Sequence, residues 1–182
     1  MKIMLELIIV LIVLILIILF LLYKIISNKF NIVNIKINKS ETKLKDNLHQ
    51  KFELVLKLIN FLNKQSNFNE DEFHNILNTN LKKISLKELN DNLVESDKNI
   101  AKYLSQNEKL INEKELSEIN KEINELNIII NATRKYYNTN LKEYNKLIKK
   151  FPNNIVAKIK KFEEKTKLQE ANNEKLKILN NK

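Results

Sequence analysis

Few side chains in this sequence carry obvious chemistry: there are two histidines, one arginine and no cysteine. Asp71 and His74 stand at the acid-x-x-His spacing from which carboxylate-rich di-iron sites are built inside four-helix bundles. Such a site needs a second copy of the pair and an inward carboxylate from each of two further helices. Asp46 and His49 repeat the spacing, but no inward carboxylates from two further helices can be told from the polar background, and Asp71 and His74 fall in the first turn of a helix, where acids are favoured by the backbone dipole. Without Cys there is no thiolate ligand, thiol nucleophile or disulfide, and without a single Gly the phosphate-cradling loops of nucleotide enzymes are excluded. No Ser/His/Asp order, no pair of carboxylates and no distinctive reactive Lys emerges from the polar background. The expectation is therefore a protein that is not an enzyme, with no catalytic residue, no cofactor, no metal and no small-molecule substrate. A ferritin-like metal-binding or enzymatic bundle is the alternative.

Arg134 stands alone among thirty-one lysines. Lys and Asn are in excess while Gly, Ala, Pro and Arg are scarce, as expected of AT-biased codons, so a surviving Arg marks a place where Lys does not serve. Its planar fork can hold a carboxylate through two parallel hydrogen bonds. Glu53, at the matching level of an antiparallel first helix, is the expected partner.

The elements that must position these residues are helical. Residues 7–23 are seventeen consecutive aliphatic and aromatic side chains. Extended to Met4 and Ile26, the run matches a hydrocarbon core of about 30 Å and is read as a membrane helix. It is longer than a signal-peptide core, and no small-residue cleavage site follows it. Beyond it, Ile37, Leu44, Leu48, Phe52, Val55, Ile59 and Leu62 recur at helical spacing, with no breaker before Ser66. A turn at 65–69 leads to Asn69 and Glu72, a capping-box start. Ile76, Leu81, Ile84, Leu89, Leu93, Ile100 and Leu104 then make two helical pieces bent near 78–85, the second capped by Ser85. A third long segment starts at Asn112 and carries the seam Leu116, Ile119, Ile123, Leu126, Ile130, Thr133 and Tyr137, continued by Leu141, Tyr144, Ile148 and Phe151. Pro152 ends it. A short fourth helix from Asn154 would bury Ile155, Ile159 and Phe162. The fold class is all-α: an N-terminal transmembrane anchor (residues 1–27), a long antiparallel bundle of the four-helix type with coiled-coil packing (28–168) and a polar, fraying tail (169–182).

The net charge of +10 is unevenly spread. Residues 24–67 carry nine Lys against three acids, residues 68–130 eight Lys against thirteen acids, and residues 131–182 fourteen Lys or Arg against five acids. Attraction between segments, plus a solvated surface, accounts for this distribution. Lys24, Lys29, Lys36 and Lys39 flank the membrane run, against Lys2 on its other side, which predicts a single-pass protein with its N-terminus outside and its C-terminal domain in the cytoplasm; the opposite topology is the alternative. The same lysines can touch anionic headgroups of the bilayer. A second cluster, Lys142, Lys146, Lys149, Lys150, Lys158, Lys160 and Lys161, is expected at the end of an alternating bundle that points away from the membrane. Membrane-tethered nucleic-acid binding through it is a further alternative, disfavoured because no aromatics are interleaved for stacking.

Three stretches resemble the LemA family of bacterial membrane proteins. Residues 48–59, with Phe52, Glu53, Leu54 and Leu58, resemble its basic-aromatic-acid-Leu segment. Arg134, Tyr137 and Asn138, then Tyr144 and Asn145, resemble its Arg-x-x-Tyr-Asn…Tyr-Asn pattern. Phe151-Pro152, Ala157 and Phe162 resemble its Phe-Pro…Ile-Ala…Phe signature. Leu56 stands where the family has Pro, Asn127 where it usually has Glu, and Asn153 where Gly is common. The resemblance implies a long-helix bundle with a small external N-terminus and no established molecular role. An interaction or scaffolding protein, with a protein partner in or near the cell membrane, is the functional expectation.

Overall fold

The computed structural model describes residues 2–65 and 68–168; the tail expected at 169–182 and two residues of the turn expected at 65–69 lie outside them. Among the described residues five helices follow one another: α1 (Lys2–Leu62), α2 (His74–Leu77), α3 (Leu86–Gln106), α4 (Lys114–Lys149) and α5 (Asn153–Ile159), with 3-10 turns at Glu70–Phe73 and Glu108–Asn112. Among the described residues there is no strand.

The 61 residues of α1 contain neither Gly nor Pro, and the membrane-type run continues into the first amphipathic stretch without a break. Its surroundings change along its length. Every large apolar side chain from Ile3 to Leu22 is at least 43% exposed, whereas Ile26, Phe30, Val33, Ile37, Leu44, Leu48, Phe52, Val55, Ile59 and Leu62 are buried at intervals of three and four, with one of seven. That interval is the stripe of a helix with one side on a core. The exposed window is long and apolar enough to cross a membrane, and none of it is covered by protein.

Capping explains where the next elements begin. Asn69 Oδ1 accepts from the Asp71 N–H at 3.2 Å rather than from Glu72, because the turn it opens is 3-10 and tighter than the α-turn a capping box needs. Ser85 Oγ accepts from the Glu88 N–H at 3.2 Å and starts α3 at the expected residue. α4 begins at Lys114, two residues later than Asn112, since residues 108–112 close a 3-10 turn on which the Glu113 N–H bonds Leu110 O.

The α4 seam is buried through Leu116, Ile119, Ile123, Leu126, Ile130, Tyr137, Leu141 and Tyr144. Two expectations at its end are corrected. Phe151 is 72% exposed instead of closing the seam, and Ile155 and Ile159 are 50% and 65% exposed. The other side of α5, with Val156 and Ala157, is the buried one. The helix is only seven residues long, and its phase is set by how it ends. The Phe162 N–H bonds Ala157 O at 2.9 Å and the Lys161 N–H bonds Lys158 O at 3.1 Å, a Schellman closure. Lys161 takes the left-handed position (φ 53°) that glycine usually fills. This turns the half-buried Phe162 back toward the rings of Phe30 and Tyr144.

By its contacts the chain divides into two units, Met1–Lys39 with Thr139–Lys167, and Ser40–Asn138 with Leu168–Lys182. In the first, the rings of Phe30, Tyr144 and Phe162 form a cluster with centroids 5.0–6.2 Å apart. In the second, Leu44, Leu48, Leu58, Ile76, Leu89, Leu93, Leu104 and Leu116 are fully buried. Each such side chain contributes about 1.5–3 kcal/mol. Phe68 stacks on Phe73 and meets Tyr103 edge-on.

Candidate functional site

His74 opens α2 on the surface, four residues before Asn78, whose amide nitrogen lies 3.0 Å from His74 Nδ1 and also donates to His74 O. Together with Asn75, Thr79, Asn80, Lys83, Ile84, Glu88 and Asn92 it lines an open cleft of about 440 Å³. The cleft can hydrogen-bond a polar molecule but holds no activated nucleophile. The Thr79 hydroxyl donates to Asn75 O at 2.8 Å and accepts from Asn92 at 3.2 Å, so its proton is committed to the backbone. Asp71 and His74 are both exposed, and no group of three or more His, Asp or Glu assembles among the described residues.

The most unusual polar arrangement lies inside the second unit. Lys51 of α1 is 3% exposed, and its ammonium donates to Asp97 Oδ2 of α3 at 2.5 Å and to Asn127 Oδ1 of α4 at 2.7 Å. Asp97 is 7% exposed. Withdrawing a Lys and an Asp from water costs several kcal/mol per ion, recovered only because the pair is close and further hydrogen-bonded. Breaking one partner strands the other charge. The three side chains thus tie the register of three helices at one level, the best-attested use of a buried ion pair. A neutral amide at 127, where the resembled family usually has Glu, gives Lys51 a second acceptor without a second negative charge. Of this trio only Asn127 stands out in the sequence, as a departure from the resembled pattern. The signal was present, however: Lys51 follows Leu48 by three and precedes Val55 by four, and Asp97 follows Leu93 by four and precedes Ile100 by three, so both sit on core stripes.

Arg134 is 3% exposed, in agreement with its expected place at the seam. Glu53 is exposed, and Arg134 Nη1 donates instead to Asn131 Oδ1, three residues earlier on the same helix, at 2.8 Å. The correction is one of helical phase: Phe52 takes the buried position of α1, and Glu53, its neighbour, is rotated by about 100° toward solvent. Leu58 is buried and Leu54 half-buried.

The two Tyr-Asn pairs acquire a physical role. Asn138 accepts from the Leu168 N–H at 2.9 Å and donates to Leu168 O at 3.0 Å. Asn145 does the same to Lys165, at 3.0 and 2.8 Å. Residues 162–168 have no regular structure, and their backbone groups must be satisfied by something. Each Asn amide presents one acceptor and one donor, as a neighbouring strand would, and holds the extended chain against α4. Seven residues of helix rise about 10.5 Å and three of extended chain about 10 Å, so the spacings 138/145 and 168/165 agree. Burial pushes the Tyr137 phenol above its usual range, with the Glu41 carboxylate adding to the effect. Burial likewise raises Tyr144.

Lys24, Lys29, Lys36 and Lys39 are exposed along α1, and Lys24 lies 5.5 Å over the Phe20 ring. The second lysine cluster does not lie at an end away from the apolar run. Lys160 Nζ donates to Ser27 Oγ at 2.6 Å and stands 6.0 Å from the Tyr23 ring, at the last residue of that run.

No curated protein and no solved structure matches this chain. The family model of the LemA family matches residues 40–179, more than three quarters of its length. With that match and the motifs placed above, the chain belongs to the LemA family.

Proposed function

We propose that this LemA-family chain is a single-pass, membrane-anchored helical bundle that acts as a scaffold or interaction protein at the bacterial cell membrane. Its N-terminus lies outside, its helical domain lies in the cytoplasm, and its partner is a protein in or near the same membrane. One observation carries the reading: α1 exposes all its apolar side chains over residues 3–22 and then, without interruption, becomes a core helix. A side chain such as Leu14 gains nothing by exposure to water, and a bilayer is the solvent that suits it. The bundle is antiparallel at α1 and α4 in this reading, supported by Glu41 acting on Tyr137 and Lys51 bonding Asn127, since one index rises as the other falls. The role is structural rather than enzymatic, and neither a cofactor, a small-molecule substrate nor nucleic acid is part of it.

The chain has no Cys, so a single Cys at the exposed Glu118 reads topology without background. In intact cells Glu118→Cys is expected to resist a membrane-impermeant maleimide until the membrane is opened, and the chain to stay with the membranes in alkaline carbonate. Prompt labelling reverses the topology, and release by carbonate overturns the anchor. Crosslinking in membranes followed by mass spectrometry identifies the partner.

A further inference from the structure

Phe151, Ile155 and Ile159 are the large apolar side chains left exposed at the α4–α5 turn and along α5. Ile155 and Ile159 share a face at i, i+4, opposite the buried Val156 and Ala157. Exposed lysines border them: Lys150, Lys158 and Lys161. From 146 to 165 the chain carries seven Lys and two Glu. Glu164 is engaged by Lys149 at 2.9 Å, which leaves Glu163 the only acid of this stretch outside an ion pair, among described contacts. A small apolar face rimmed by cations has the composition of an interfacial membrane helix.

The position of this face is fixed within its own unit. Lys160, the residue after α5, bonds Ser27 and stands over Tyr23. Ser27 lies one helical turn, about 6 Å, past the end of the apolar run. The headgroup layer on each side of a hydrocarbon core is about 5–8 Å thick. The end of α5 is therefore held at the depth of the headgroups, beside a Tyr of the kind that lines membrane interfaces.

We propose that α5 and the turn before it form a second membrane contact: Phe151, Ile155 and Ile159 enter the interface of the leaflet that α1 leaves, and Lys150, Lys158 and Lys161 bind anionic phospholipid headgroups. This rests on the anchor reading above. Two side chains on a seven-residue helix and one in the turn before it would bind a bilayer weakly alone, but α1 tethers them, so the second contact forms at high effective concentration. The contact fixes the height of this unit over the membrane, and makes it sensitive to anionic lipid.

The chain has no Trp, so single substitutions report locally. Full-length Ile155→Trp and Ile159→Trp are reconstituted in phosphatidylcholine bilayers with and without phosphatidylglycerol, the acyl chains brominated near the headgroup. Leu21→Trp, near the same end of the apolar run, reports the anchor, and the exposed Ile128→Trp serves as a solvent control. In anionic bilayers the 155 and 159 probes are expected to shift to the blue and be quenched, with Ile128→Trp unaffected. Removing phosphatidylglycerol, or combining Lys150→Glu, Lys158→Glu and Lys161→Glu, should reverse the shift; each lysine near an anionic surface strengthens binding by about fivefold. Quenching of Leu21→Trp alone, with water-like emission at 155 and 159, overturns the contact and leaves the anchor intact. A blue shift at 155 and 159 without bromine quenching assigns the face to a second copy or another protein and also overturns it. An unquenched Leu21→Trp removes the anchor, and the contact with it.

Discussion

The two stretches of α1 have the same backbone and the same freedom from Gly and Pro, yet residues 3–22 bury nothing while residues 26–62 bury a side chain at nearly every turn. Hydrophobicity alone does not decide which stretch enters a protein core. The first is apolar all round, so no single neighbour could cover it. The second buries one apolar stripe against protein, while Ile32 and Ile35 beside that stripe stay exposed. The first stretch is matched to a solvent and the second to a surface, and substitutions in the two should fail in different ways.

The largest effect is expected in the second stretch, at its one buried charge. Lys51→Met leaves Asp97 unpaired and should lower stability by about 3–5 kcal/mol. Adding Asp97→Leu should restore much of the loss, which a double-mutant cycle by thermal unfolding measures. Leu48→Ala, one turn away, should cost about 2–5 kcal/mol through the cavity it leaves, with membrane retention unchanged. The mirror experiment is Leu14→Lys. On insertion scales it costs about 2.5–3.5 kcal/mol at mid-bilayer, and it should lower membrane retention while the bundle's melting temperature stays where it was. If Leu14→Lys instead melts the bundle, the first stretch is packed on protein.

How far the sequence discloses this structure follows the same division. Stripe spacing discloses the buried face of α1 down to Leu62, and the unbroken apolar run discloses its exposed part, because both are periodicities of a single helix. The Ser85 cap and the stop before Pro152 are equally local. What spacing does not disclose is phase at a short element, where few residues vote. Ile155 and Ile159 look like a core stripe, yet the Schellman closure at Lys161 puts Val156 and Ala157 inside. Pairings between helices are likewise hidden: Glu53 is a sensible partner for Arg134 by level, but one residue of phase separates it from the buried side. Lys51 and Asp97 were legible by position and overlooked by type, since charges on a core stripe are expected at the surface.

Two smaller effects sharpen the account. Lys161→Gly removes a side chain from a left-handed position and should raise stability by about 1 kcal/mol. The raised phenols of Tyr137 and Tyr144 hold their protons more tightly when folded, so their contribution is whole below the unfolded value of 10.0 and is lost as pH rises beyond it. Unfolding followed between about pH 8 and 11, a range that spans the titration of a free phenol, should show stability falling only at the alkaline end. Tyr137→Phe should flatten the fall.

In the function proposed above, one continuous helix passes from lipid to protein at about Tyr23. Spin labels placed singly at each residue from 5 to 37 of the full chain in bilayers test it through collision with dissolved oxygen and with a water-soluble nickel complex. Oxygen should dominate evenly from 7 to 22, without helical period; from 26 onward Phe30, Val33 and Ile37 should be shielded from both, and their neighbours should meet nickel. A three- to four-residue rhythm of shielding already present between 7 and 22 would mean that this stretch packs against protein, and would contradict the account.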